Sequence, residues 1–332
     1  MQRRTLLSAT LGLGAWASLP NLAGDVTLAE LPMYSGSDLA FGTTVTINVL
    51  HADQSTALAA IQEALHQVKQ VDALMSVYQA HSQVFQLNLH GVLASPDPHL
   101  LRVLTFAQQL SVMTAGAFDM TVQPLWQTFT QARAKNLLPG PDEIAAAKAL
   151  VNWRRVELGP QQVRFQTTGM ALTLNGVAQG YAVDLALQVL TSRGITRALL
   201  DTGEFGAIGS KTHSQPWVLG IGDPRQRDAV LAKLTMDGRK VATSGDYETF
   251  FSPDFVHHHI FDPTTGDSPT ELASVTVVAP TGILADGLST AFMVMGVDKA
   301  LALTAKWHDV DTLLILKNGT IRQSPNFPEW RA

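Results

Sequence analysis

The chain has 332 residues, 46% of them apolar and 15% charged, a balance that supports a large packed core and excludes a disordered chain. A formal net charge of −5 gives no electrostatic footprint for nucleic acid. The absence of cysteine excludes thiolate metal sites, disulfides and cysteine nucleophiles.

Arg3-Arg4 precede a short apolar stretch, Leu6–Leu19, followed by small residues. The stretch falls short of the roughly 20 apolar residues that span a bilayer. Residues 1–23 therefore read as an export signal, and the paired arginines as the twin-arginine type. The expected destination is the periplasm, as a soluble protein. Residues 24–38 read as a linker and residues 39–332 as one folded unit.

Leu39–Leu50 alternates Phe41, Thr43, Val45, Ile47 and Val49 against polar neighbours, which predicts one half-buried strand. Asp53 then opens a helix whose apolar residues run from Leu58 to Met75. A turn of helix over Ser82–Asn88 and a helix over His99–Thr114 follow. Pro124 suits the first position of another helix, reaching about Ala134. Asp142–Leu150 forms a short helix after Pro139-Gly140-Pro141.

From Arg154 the pattern turns to strands, with runs at Val156–Leu158, Val163–Thr167 and Ala171–Leu174. Residues 175–184 lead into a helix ending near Gly194. Strands are expected at Ala198–Asp201, Trp217–Ile221, Val230–Met236, Val241–Thr243 and Ser274–Ala279. Helices are expected over Gly287–Gly296 and Asp298–Trp307. Asn318-Gly319 makes a two-residue hairpin turn between Leu313–Lys317 and Thr320–Arg322. This order predicts an α+β fold with mainly antiparallel sheets and packed helices.

Several residue groups could carry chemistry. Asp286 and Thr290 are four apart and share one helix face. A carboxylate and a hydroxyl stacked near a helix N-terminus make an oxygen-only corner that suits Mg2+. Amides left in that first turn would also favour an anion. The bland alternative is that Asp286 caps the helix. His257-His258-His259 cannot converge on one metal if they lie on a strand, where 257 and 259 share a face. One histidine acting as a base beside a phosphate is the stronger reading. Asp246, after Ser244-Gly245, suits either a turn or a functional role. Gly203, Gly206 and Gly209 lack the dinucleotide-binding spacing and a following helix.

Five stretches in order match one family: Met75-Ser76-Val77-Tyr78 through Asn88; Gly116-Ala117-Phe118-Asp119-Met120-Thr121-Val122; Ala178-Gln179-Gly180-Tyr181-Ala182-Val183-Asp184; Val241-Ala242-Thr243-Ser244-Gly245-Asp246-Tyr247; and His259 to Gly266 with Ala285 to Thr290. With these the chain resembles the ApbE-type flavin transferases, the FAD:protein FMN transferases, from Phe41 to Gly296. The resemblance implies the ApbE-like fold and a reaction that uses Mg2+ and FAD. FMN passes to a Ser or Thr hydroxyl of a target protein and AMP is released.

It also implies roles. Asp286 and Thr290 would ligate Mg2+, with a backbone oxygen near Gly176 and with Ser289. Phe41, Tyr78, Ala117, Phe118, Asp119, Thr173, Gln179, Ser244, Asp246, His259 and Ile260 would line the FAD site. His259 would assist removal of the acceptor's proton, with Asp286 as the other catalytic residue. Three positions depart from the common pattern: Phe41 stands for Met, Gln179 for Lys or Glu, and Gly203-Glu204 for Gly-Gly. Gln179, Glu204 and Phe261 resemble the branch linked to nitrous oxide reductase maturation, often called NosX. There the expected partner is a membrane flavoprotein of nitrous-oxide respiration. Two other functions fit the same residues, an FAD pyrophosphatase with water as acceptor and a non-catalytic FAD-binding assembly factor.

Overall fold

A computed structural model describes residues 30–328 and 330–331. The expected export signal, 1–23, and residues 24–29 of the expected linker lie outside the described residues.

The strands are β1 (Met33–Ala40), β2 (Thr43–Leu50), β3 (Val92–Ala94), β4 (Val156–Leu158), β5 (Gln162–Phe165), β6 (Ala198–Asp201), β7 (Phe205–Ile208), β8 (Val218–Asp223), β9 (Gln226–Thr235), β10 (Lys240–Gly245), β11 (Leu272–Ala279), β12 (Asp311–Leu316), β13 (Ile321–Gln323) and β14 (Trp330–Arg331). The helices are α1 (Gln54–Met75), α2 (Gln83–His90), α3 (Pro98–Met113), α4 (Gln123–Arg133), α5 (Pro141–Lys148), α6 (Ala178–Ser192) and α7 (Gly282–Thr304). An eight-stranded sheet, ordered β1-β2-β6-β7-β10-β11-β12-β13, forms the frame. Its neighbours all pair antiparallel. The α+β expectation holds.

Residues of α1, α6 and α7 build the main core with Val45, Ile47 and Val49 of β2 and Val275 and Val277 of β11. The opposite face packs under β8 and β9, where Leu219, Ile221 and Leu234 meet Val241, Val278 and Leu313. β11 is therefore buried on both faces, which is why it reads as an unbroken apolar run. α4 and α5 carry a smaller cluster of Leu125, Phe129 and Ala147 around Phe261. Among the described residues no helix is long and apolar enough to cross a membrane.

Three local expectations change. Leu39–Leu50 is not one strand: it turns at Phe41 (φ 54°) and Gly42 (φ 74°), and β1 pairs back along β2. Two successive left-handed residues are what a tight hairpin turn requires. Residues 33–38, expected as linker, are thus the first strand. Ala171–Leu174 lies outside the described strands, because its backbone bonds to other partners. Leu172 N–H donates to Asn88 Oδ1 and Asn88 Nδ2 donates to Leu172 O, both 2.8 Å. Thr173 N–H donates to Met120 O. Finally, the first of the two helices expected here begins earlier, at Gly282, while the break between them falls at Gly296 (φ 75°) as expected, both being labelled together as α7.

Candidate active site

The site begins where α6 crosses α7. A Cβ on Gly180 would stand 2.1 Å from the Gly282 carbonyl oxygen, so the backbones touch. That closeness lets α6 cap α7 from outside. Asp184 accepts the N–H groups of Gly282 (2.7 Å) and Ile283 (3.0 Å). Burial raises the Asp184 pKa, and these two amides oppose the rise. The first turn of α7 therefore lies at 282–285, and two of its amides are occupied. The expectation of amides left there for an anion is corrected at those positions.

Asp286 sits one turn further in and is not the cap. It is buried, and its Oδ2 accepts the Gly180 N–H at 2.9 Å. Ser289 Oγ donates to the Asp286 carbonyl at 2.8 Å. From the sheet, β10 brings Ser244, whose Oγ lies 2.8 Å from Ser289 Oγ and 3.2 Å from Thr290 Oγ1. Gly176 closes the other side: a Cβ there would stand 2.8 Å from Thr290 Oγ1. The structure thus brings Asp286, Ser289, Thr290, Ser244 and Gly176 together, although Gly176 and Thr290 are over a hundred residues apart in sequence.

The side chains here offer only oxygen atoms, and the one carboxylate is that of Asp286, a helical turn before Thr290. Among the described residues no three His, Cys, Asp or Glu side chains gather as a metal site. A cation held here would rest on one charge plus hydroxyl and carbonyl oxygens, leaving positions for water and phosphate. Mg2+ binds in that manner, whereas zinc prefers nitrogen and sulfur. The residues fit Mg2+.

The three histidines do three different things and, among the described residues, do not gather on one metal. His257 Nδ1 lies 2.8 Å from Asp267 Oδ1. His258 is fully buried; its Nε2 faces the Pro269 carbonyl at 3.0 Å and its Nδ1 the Ile260 N–H. His259 is half-buried, with Nδ1 3.2 Å from the Thr249 carbonyl and its ring edge-on to Trp126. A carbonyl only accepts, so Nδ1 of His259 carries the proton and Nε2 the lone pair. That is the tautomer a general base needs.

Desolvation drives the His258 pKa down to about 3 from 6.5. The unfolded chain then takes up this proton as pH falls below 6.5, while the folded chain resists until about 3. His258 thus favours folding fully above that window and progressively less within it, by up to about 1.4 kcal/mol per pH unit. Melting temperature should fall on acidification from pH 6.5. The fall should be smaller in His258→Gln, which can still donate to Pro269 O; equal slopes would contradict the assignment.

The other expected residues divide. Tyr78 is 57% exposed and stands at the surface. Phe41 occupies the β1–β2 turn, Ala117 is half-buried, and Thr173 Oγ1 accepts the Asn175 N–H. Gln179 Nε2 donates to the Thr202 carbonyl at 2.6 Å, beside the Gly180 that holds Asp286. Phe118 and Ile260, expected as walls of the cofactor site, are buried in the main core. Asp119 accepts from Thr121 N, Thr121 Oγ1 and Trp153 N, and braces its own loop. Burial raises its pKa against those bonds. Asp246 is fully buried and forks onto Arg225 at 2.7 and 2.8 Å. Both carboxylates are engaged by partners within the protein.

Sequence reasoning did not single out Gly180, Asp184, Arg225 or Lys317. Gly180 and Asp184 stand four apart inside a quoted motif, a spacing that places them on one helix face. Nothing local marks Arg225 or Lys317.

A family model described as the ApbE family matches residues 41–314. An FAD:protein FMN transferase of Salmonella typhimurium is 32% identical over 295 residues, covering 84% of this chain and 83% of its own. One of Vibrio cholerae is 31% identical over 321 residues, covering 92% and 93%. Among solved structures, the ApbE protein of Thermotoga maritima has a TM-score of 0.82 at 31% identity, with 90% of this chain and 100% of that chain covered. The flavin transferase ApbE of Vibrio cholerae has a TM-score of 0.77 at 27% identity, covering 90% and 98%. The family match and these relatives show that this chain belongs to the ApbE family. Its class within that family is that of the FAD:protein FMN transferases.

Proposed function

We propose that the chain transfers FMN from FAD onto a Ser or Thr hydroxyl of a protein acceptor and releases AMP, with Mg2+ held at Asp286. The observation that carries this reading is the meeting of the Ser244, Ser289 and Thr290 hydroxyls beside the Gly176 backbone, one helical turn from Asp286, whose main-chain carbonyl accepts from Ser289 Oγ. Mg2+ held there would neutralise the charge of a diphosphate. The acceptor oxygen bonds to the FMN phosphorus, and the bond from that phosphorus to the AMP oxygen breaks. His259 Nε2 takes the hydroxyl proton, with its tautomer fixed by the Thr249 carbonyl. Gly180 N–H holds the Asp286 carboxylate in place throughout. Exposed Tyr78 offers an aromatic face to the flavin.

We further propose export of this activity to the periplasm by the twin-arginine route, supported by Arg3-Arg4 and the apolar stretch behind them. Gln179, Glu204 and Phe261 support a place in the branch serving nitrous oxide reductase maturation. The acceptor is then a membrane flavoprotein of nitrous-oxide respiration presenting a threonine.

The test is incubation with FAD, Mg2+ and the acceptor domain, read by intact mass and by AMP release. One FMN per acceptor with matching AMP is expected. AMP and free FMN in equal amounts, with no modified acceptor, would instead establish a hydrolase. Bound FAD with neither product would establish a carrier.

A further inference from the structure

The loop from Asp246 to His259 leaves β10 two residues after Ser244 and ends at the proposed base. One end therefore starts next to the Ser244 hydroxyl cluster, and the other carries the proposed base. The loop folds on itself: Phe251 N–H donates to His257 O at 2.7 Å, Phe250 bridges His258, and His259 N–H donates to Thr249 O at 2.9 Å. At its far point Phe255 has φ 60°, a left-handed conformation that a bulky residue adopts only when its surroundings hold it there.

Two cations do the holding. Lys317, just past β12, donates through Nζ to the Phe255 carbonyl. Arg225, in the β8–β9 turn, places its guanidinium 4.7 Å from the centre of the Phe255 ring. Both also converge on Asp246, Arg225 through the two short bonds of its fork and Lys317 at 3.4 Å. The Asp246 side chain is 0% exposed, so this is a buried, directional pairing. The Arg225 pKa rises in answer, chiefly through its bonds to Asp246. Register shifts at Ile221, Gly222 and Asp223 bend β8 where it enters the turn carrying Arg225.

We propose that Arg225 and Lys317 are positioning residues for His259. They fasten the first residue of the loop to its far point through Asp246 and Phe255, and so fix where the last residue presents its imidazole. Neither cation touches the reacting atoms. The proposal rests on the reading of His259 as the base.

The experiment measures the FMN-transfer rate at saturating FAD and acceptor for Lys317→Met and Arg225→Lys, each alone and combined with His259→Ala. Arg225→Lys keeps the charge and loses the fork, and serves if Lys317→Met fails to fold. Each single variant is expected to slow transfer about tenfold, because small misplacements of a catalytic group are costly. The FAD dissociation constant should stay within about twofold of the parent, since binding groups are untouched. Added to His259→Ala, neither substitution should slow transfer further. A merely structural lesion would slow both backgrounds alike, and that result, or an unchanged rate in the single variants, would overturn the proposal. If His259→Ala alone leaves the rate unaltered, the base assignment itself fails and takes this proposal with it; a slow His259→Ala beside fast cation variants removes the proposal alone.

Discussion

Asp286→Ala is expected to lower Mg2+-dependent FMN transfer about a thousandfold, equivalent to about 4 kcal/mol of transition-state stabilisation. The magnitude follows from the donor set, since Asp286 supplies the one carboxylate within a helical turn of the hydroxyls that meet at Ser244, Ser289 and Thr290. Without it the hydroxyls face a divalent cation with no formal charge to match it. Asp286→Asn separates charge from packing, because an amide oxygen can still accept the Gly180 N–H. It should be nearly as slow as the alanine variant. Mg2+ with FAD should raise the melting temperature of the parent and not of either variant, because a ligand stabilises only the state that binds it. Transfer that persists at the parent rate in Asp286→Ala would remove the metal assignment.

His259→Ala should slow transfer by about 10²- to 10³-fold, the usual cost of a lost general base. FAD affinity should hardly change, because a base at this position would act on the acceptor's proton. The expectation depends on the Nδ1 contact with the Thr249 carbonyl, which leaves the lone pair on Nε2. Neither neighbour can substitute: His258 is buried against Pro269 with its pKa near 3, and His257 is engaged by Asp267. Rates measured under single-turnover conditions decide the matter, and parental rates would dismiss His259 as base.

Much of this was legible because its causes are local. β6 falls at Ala198–Asp201 as the sequence pattern predicts, and Asn318-Gly319 turns the chain between β12 and β13. Asp286 and Thr290 share a helix face by spacing alone. What sequence reasoning missed depends on partners far along the chain. Asp286 is held by an amide 106 residues away, and the cap of α7 comes from α6. The ion-pair partners of the Asp246 carboxylate, Arg225 and Lys317, come from two separate hairpins. β1 escaped detection because Met33–Ala40 is an edge strand with little apolar alternation. Ala171–Leu174 looks like a strand, yet a single side chain, Asn88, takes both backbone bonds of Leu172.

The most direct measurement is the position of a divalent cation with flavin dinucleotide bound. Crystals soaked with FAD and Mn2+ in place of Mg2+ reveal the metal through its anomalous scattering. A peak within coordination distance of the Asp286 carboxylate and Thr290 Oγ1, touching the diphosphate, is the predicted result. FAD bound with its diphosphate away from these side chains, or a peak elsewhere with none at Asp286, would contradict the account.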